Sequence, residues 1–508
     1  MNWHSGIIPL ESPVKAERQA ARRHYGVHPY FTRRPPNVVR RYILHYSREH
    51  DVVLDPFGGS GVTAVEAFLE NRVGVQNDIN PLASFIARGI ADLSKGQIAA
   101  YAKSLDSLRE ECEKQLMSIQ RAPDVTVAGF RKKVRLPPNV ELPRSADVRR
   151  YYDLFSPHQL VSLAILRQAI DRIPDRYAGR AMLLAWSATL AKLNKTFLSA
   201  VGRAPSRGGS SIFSIYRYKV AKEPVELSVW PTFCERASNI IAAKREIDKT
   251  VELKRRTSGW FGRFESHARD VEDLCDDFRD AVDYIFTDPP YGRNIAYIDL
   301  SVLWNAWIGQ LPDLEKRQKE LIVGGDLGIS ESTYLTRLGD SIRACIAMLK
   351  VNRWLSVVFQ HWNTLYFEEI LCAAAEAGAD LRAAVSQVGD PIWSMHKKKG
   401  DESVLAGELI LTFHKTGKRK AIRKDAAFDL SRVLGQILSD MDGREVYGEY
   451  LFNRVIIEAW NRSAIGSLRV TKEEFTRLLR SHGWRYDQQN HYWVSETHMS
   501  PTLFGRID

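Results

Sequence analysis

Asp51-Val52-Val53-Leu54-Asp55 is a short apolar strand that runs straight into a glycine turn, and Val62–Leu69 follows at helical spacing. Arg72-Val73-Gly74-Val75 then reads as a second strand. Strand, glycine turn, helix and strand in that order form the βαβ unit of a doubly wound, mostly parallel sheet. No other stretch of the chain constrains the fold as tightly.

The 508 residues exceed one ordinary core of about 100–200 residues. Strand patterns resume only at 262–267 and 282–286, with further strands expected at 353–359 and 407–414 and helices at 333–350 and 366–378 between them. The interval holds a charged helix at 97–120, a loop-like stretch at 121–150, and two helices within 156–202, opened by Ser156-Pro157 and parted near Pro174. A further helix is expected at 229–255. A structureless loop of that length is improbable, so the interval must be a folded helical insert. A basic linker from Lys415 to Lys424 leads to a mostly helical tail with a final hairpin at 482–495. The division expected is 1–99, the first half of the α/β core; 100–258, the insert; 259–415, the second half; and 416–508, a small helical C-terminal domain.

Hydrophobic residues make up 44% and charged residues 26%, which excludes a disordered or fibrous chain. Lys and Arg number 72 against 61 Asp and Glu, and the net charge of +11 suits a polyanionic partner. The cysteines (112, 234, 275, 345 and 372) lie far apart with no CxxC pair, which excludes the usual clustered zinc sites, so no metal is expected. They fit free thiols in a reducing cytoplasm. No secretory leader pattern and no long apolar run is visible, so no membrane span is expected.

Three motifs carry chemistry. Asp55-Pro56-Phe57-Gly58-Gly59-Ser60-Gly61 sits where the first strand meets a helix; glycines there let a ligand approach the backbone, and the helix N-terminus offers free amides. The loop lacks the Walker lysine and its spacing, and Ala64 departs from the dinucleotide fingerprint. Asp55 can accept a hydrogen bond from a cationic amino group. Asp78 follows the second strand, where an acid can take both hydroxyls of a ribose; alone, such an acid is more often a helix cap, but the glycine loop at this distance favours the ligand reading. Asp288-Pro289-Pro290-Tyr291 ends the strand at 282–286. Two prolines fix that backbone, so the Asp carboxylate and a proline carbonyl can hold both hydrogens of an exocyclic amine, and Tyr291 offers a ring to stack on an unstacked base.

Together these segments resemble the S-adenosylmethionine-dependent DNA amino-methyltransferases that modify adenine N6 or cytosine N4, over about 20–100 and 258–415. The resemblance implies a Rossmann-like class I methyltransferase core that binds S-adenosyl-L-methionine and double-stranded DNA in a prokaryotic cytoplasm, with a restriction or phage-defence protein as a further partner. His28-Pro29-Tyr30-Phe31-Thr32-Arg33-Arg34-Pro35-Pro36 is similar to the family segment that closes over the methionine end of the cofactor. Asp270 stands where the family has the acid that meets the adenine, although here it follows the insert, whereas the family's insert more often follows that acid. Tyr297-Ile298-Asp299-Leu300-Ser301, Phe155–Leu160 and Asn194 are similar to a branch identified as adenine-specific. The Asp of the tetrad favours adenine over cytosine N4, for which the family tends to carry SPPY. RNA guanine-N2 methyltransferases also carry DPPY, and a degenerate methyltransferase serving as a DNA-binding subunit is the non-enzyme alternative.

The insert is the natural target-recognition region. Arg203, Arg207 and Arg217, among Gly208, Gly209, Tyr216 and Tyr218, form either a DNA-facing loop or a solvated turn. Lys397 in His396-Lys397-Lys398-Lys399 is either a phosphate contact or part of an ordinary charged surface. Trp304 and Trp307, three apart on a helix, are expected to pack rather than stack.

Overall fold

The computed structural model describes residues 3–17, 22–198, 209–292, 295–388, 407–419, 426–441, 446, 448–487 and 492–495. It divides into two compact units.

The first unit comprises 17–274 and 292–331. Its sheet is built from β1 (Val52–Asp55), β2 (Val73–Asn77) and β3 (Arg263–His267), with β2 central and both pairings parallel. Helices α1 (Pro36–Tyr46), α2 (Val62–Leu69) and α3 (Pro81–Asp92) accompany these strands. Every residue of α2 is buried, and Gly74 on β2 shows how closely it packs: a Cβ there would lie 1.9 Å from the Ala64 carbonyl oxygen. Pro36 and Pro81 open α1 and α3, where a missing N–H costs nothing.

The insert contributes α4 (Ile98–Ile119), α5 (Asp124–Arg131), α6 (Pro157–Ile170), α7 (Arg176–Thr189) and α8 (Val229–Thr257). The two helices parted near Pro174 form as expected, but α5 lies within the stretch read as loop. Ser156 caps α6 in a reciprocal box with Gln159. Asn194 accepts from both the amide and the hydroxyl of Thr196, so this signature residue shapes a turn. The insert is joined to the core by polar contacts, those of Lys244 and Trp304 buried and that of Arg180 partly so. Lys244 Nζ donates to the Leu93 carbonyl at 3.0 Å, Arg180 pairs with Asp92 at 2.7 Å, and Trp304 donates to the Ser187 carbonyl at 3.1 Å. Two short helices, α9 (Tyr297–Leu300) and α10 (Val302–Ile308), complete this unit. Trp304 and Trp307 are buried on α10, as their spacing predicts.

The second unit comprises 1–16, 275–291 and 332–508. Strands β4 (Val282–Thr287) and β5 (Leu349–Phe359) are parallel, while β7 (Gly407–Lys415) runs antiparallel to β5 and to β6 (Ala379–Val388). Helices α11 (Glu331–Met348) and α12 (Thr364–Glu376) supply the connections between β4, β5 and β6. Strand β6 is absent from the sequence reading: its alanines and arginine carry little β propensity, and its pairing with β7 decides the outcome. In the tail, α13 (Leu430–Asp440), α14 (Gly448–Asn461) and α15 (Lys472–Ser481) precede the expected hairpin, whose strands are Trp484–Asp487 and Tyr492–Ser495. Asn453 on α14 donates to Ser386 on β6, and Trp362, Phe452 and Phe475 pack ring against ring, so the tail shares the core of this unit. Mostly parallel strands connected through helices, ending in an antiparallel pair, are the Rossmann-like methyltransferase arrangement that the resemblance implies.

Candidate active site

In the first unit the glycine loop is held from several directions. The Gly58 amide donates to the Asn77 carbonyl and the Gly61 amide to the Gly58 carbonyl, both at 2.8 Å. Asn77 Nδ2 donates to the Pro56 carbonyl at 3.1 Å. Asp55 accepts from the Phe57 amide at 3.2 Å and the Thr63 hydroxyl at 2.8 Å, so its carboxylate ties the loop to the first turn of α2. Gly59 and Gly61 both adopt positive φ, +47° and +88°. A Cβ on Gly61 would lie 2.5 Å from that of Ala87, and one on Gly59 would lie 3.0 Å from the Tyr30 ring.

Asp78 accepts from the Gly59 amide at 2.9 Å and the Asn80 amide at 2.8 Å. The half-buried carboxyl is pushed up to about 6 by its desolvation, which these two amides only partly offset. Tyr30 lies across the loop from Asp78, with its hydroxyl in hydrogen-bond reach of Asn80; burial, Asp78 and Tyr297 raise its phenol well above the usual range. Its neighbour Phe31 meets Phe213, Tyr297 and Trp304, an aromatic group drawn from three distant chain segments. His28 is fully buried. Its Nδ1 donates to the Pro29 carbonyl at 2.7 Å, so its Nε2 accepts from the Ser187 hydroxyl at 3.1 Å. Burial holds the ring neutral, pulling it down to about 3. Asp270, raised by burial, accepts from the Val271 and Glu272 amides at the start of the helix Val271–Phe278.

Sequence reasoning missed Glu320. This buried acid accepts the Ile298 amide at 3.0 Å at the start of α9, and burial, with Asp299 and Asp78 adding, pushes it up to about 8. Nothing local in Lys316-Arg317-Gln318-Lys319-Glu320 distinguishes this acid from its solvated neighbours.

In the second unit, Asp288–Tyr291 leave the carboxyl end of β4. The Tyr291 hydroxyl donates to Asp288 Oδ1 at 2.5 Å, and its ring meets Phe359, the last residue of β5, edge-on at 5.1 Å. The buried Tyr334 on α11 donates to the Pro290 carbonyl and fixes the turn from behind. The tetrad is therefore a braced turn whose acid is oriented by its own tyrosine.

Of the candidate DNA contacts, Arg203, Arg207 and Lys397 lie outside the described residues. Arg217 donates to the Ser145 carbonyl and pairs with Asp147. Among the described residues no group of His, Cys, Asp and Glu is placed to hold a metal, and no helix is long and apolar enough to cross a membrane.

Residues 3–87 match the model of a family described as DNA methylase. The match spans His28, Tyr30, the whole glycine loop and Asp78, and it ends before Asp270 and the tetrad. No curated protein matches the chain. With the fold, the family match supports a DNA methyltransferase of the N6/N4 kind.

Proposed function

We propose that the chain transfers a methyl group from S-adenosylmethionine to the N6 amine of adenine in double-stranded DNA. The observation that carries this reading is the Asp78–Gly59 hydrogen bond within the matched segment: a partly buried acid at the end of β2, locked to a loop in which Gly58, Gly59 and Gly61 carry no side chain to keep a ligand away. A ligand with ribose hydroxyls fits this donor and acceptor set. Asp78, Gly58, Gly59 and Gly61 would hold it, with Tyr30 closing over the loop and Asp270 toward the adenine.

The bound cofactor supplies an electrophilic methyl on a sulfonium. The protein's part is acceptance and orientation. Asp288 Oδ2 and the Pro289 carbonyl would take the two amine hydrogens and leave the nitrogen lone pair free, while Tyr291 steadies Oδ1. Asp288 need not be a strong base, because the proton leaves a nitrogen already made cationic. Adenine is preferred to cytosine on the identity of Asp288 alone.

Incubation with labelled cofactor and duplex DNA, followed by mass spectrometry of the nucleosides, tests this. N6-methyladenine is expected. N4-methylcytosine would move the target, labelling of tRNA instead of duplex would move the polymer, and absence of cofactor binding by calorimetry would leave the DNA-binding-subunit reading.

A further inference from the structure

Arg33 belongs to none of the three motifs, yet its side chain reaches the glycine loop from 27 residues away. Its Nε donates to the Ser60 hydroxyl at 2.7 Å and a terminal nitrogen donates to the His28 carbonyl at 2.5 Å. Ser60 is buried and stands between two residues of positive φ, Gly59 and Gly61. Glycine carries the largest entropy cost on ordering, so a loop of this kind has little shape of its own. From Gly58 to Gly61, Ser60 alone has a side chain, and it is therefore the handle by which a distant group can fix the loop's apex.

We infer that Arg33 is a positioning residue for the glycine loop: it holds the shape in which the loop receives S-adenosylmethionine, and through His28 it ties that shape to α7 of the insert. The inference rests on the methyltransferase reading for its ligand and on the hydrogen bonds alone for the clamp. The connection runs from Ser187 on α7 to the His28 ring, from the His28 carbonyl to the guanidinium, and from there to Ser60. Two donors on different nitrogens of a rigid plane bridge Ser60 and His28; a lysine has a single ammonium on a flexible stem and cannot keep both directions. Burial lowers the guanidinium to about 10, so it stays charged at neutral pH while bearing a desolvation cost that a solvated arginine avoids. Tyr30, from the same segment, closes on Gly59.

Calorimetry with S-adenosylmethionine and amide hydrogen exchange over 57–62 test the clamp in the full chain, using Arg33→Ala, Arg33→Lys, Ser60→Ala and the Arg33→Ala/Ser60→Ala pair. A hydrogen bond from a charged donor corresponds to about tenfold or more in affinity. Arg33→Ala is expected to weaken binding by about that factor, Arg33→Lys to recover only part, and Ser60→Ala to move the same way. The pair should bind no more weakly than Arg33→Ala alone, because both changes remove one contact. Loop amides should exchange faster in each single variant. Ser60→Ala keeps the guanidinium in place and so remains informative should Arg33→Ala fail to fold. Parental affinity in both single variants, or losses that add in the pair, would overturn the inference. Faster loop exchange in Arg33→Ala, in a chain whose wild type binds no S-adenosylmethionine, would keep the clamp and overturn the methyltransferase reading instead.

Discussion

The Asp78 carboxylate accepts the Gly59 amide at 2.9 Å, so the acid suited to ribose hydroxyls also sets the loop beside it. Burial pushes this carboxyl up to about 6. The ionised form is the better acceptor, and protonation removes it as pH falls through that value. Affinity for S-adenosylmethionine should therefore drop about tenfold between pH 7 and pH 5. Calorimetry across this range should show the loss in the parent and a flat, weaker profile in Asp78→Asn. A parent profile flat through pH 6 would remove Asp78 from the ligand.

Gly59→Val should abolish cofactor binding while the chain stays folded. The substitution strains a φ of +47° and drives a side chain toward the Tyr30 ring. Normal affinity in this variant would show that the loop serves only as a turn.

Asp288→Ala should lower methyl transfer by about 10²–10³ with cofactor affinity within a few-fold of the parent, since a preorganised acceptor at the reacting amine is lost. Tyr291→Phe should cost about tenfold in turnover, because the hydroxyl that orients Asp288 goes with it. Tyr291→Ala should further weaken an extrahelical base by about 1–3 kcal/mol, read with a fluorescent base analogue. Full turnover by Asp288→Ala on duplex DNA would reduce the tetrad to a rigid turn.

Glu320 makes stability depend on pH in the direction opposite to an ordinary surface acid. Its folded value, about 8, lies above the usual carboxylate range, so its contribution is fully present below about pH 4.5 and is lost as pH rises through 8. Glu320→Gln keeps an oxygen to accept the Ile298 amide and carries no charge. The variant should melt close to the parent at pH 5 and about 2–5 °C above it at pH 9. A gap that is the same at both values would mean that Glu320 ionises freely in the native state.

The βαβ unit, its glycine loop and the tetrad were legible because each is local: a run of apolar residues, a glycine spacing, a pair of prolines. The insert's helices were legible from periodicity and from Ser156-Pro157. What could not be read were features made by residues far apart. Strand β6 depends on pairing with β7, and Glu320 becomes unusual only once the chain buries it beneath α9. The partners of Asn194 and His28 were hidden for the same reason. Asn194 is spent on a turn, and both ring nitrogens of His28 are spent on the protein, one of them on a helix 159 residues away. Tyr291 was readable as a ring, but its hydroxyl bond to Asp288 was not.

The contacts of Trp304 with Ser187, Lys244 with Leu93 and Tyr151 with Leu303 make the insert a poor cassette for protein engineers. Grafting it whole into a relative would strand the buried Lys244 ammonium and the buried Tyr151 phenol at the graft's seams without their carbonyls, and would leave the Ser187 carbonyl without its indole donor.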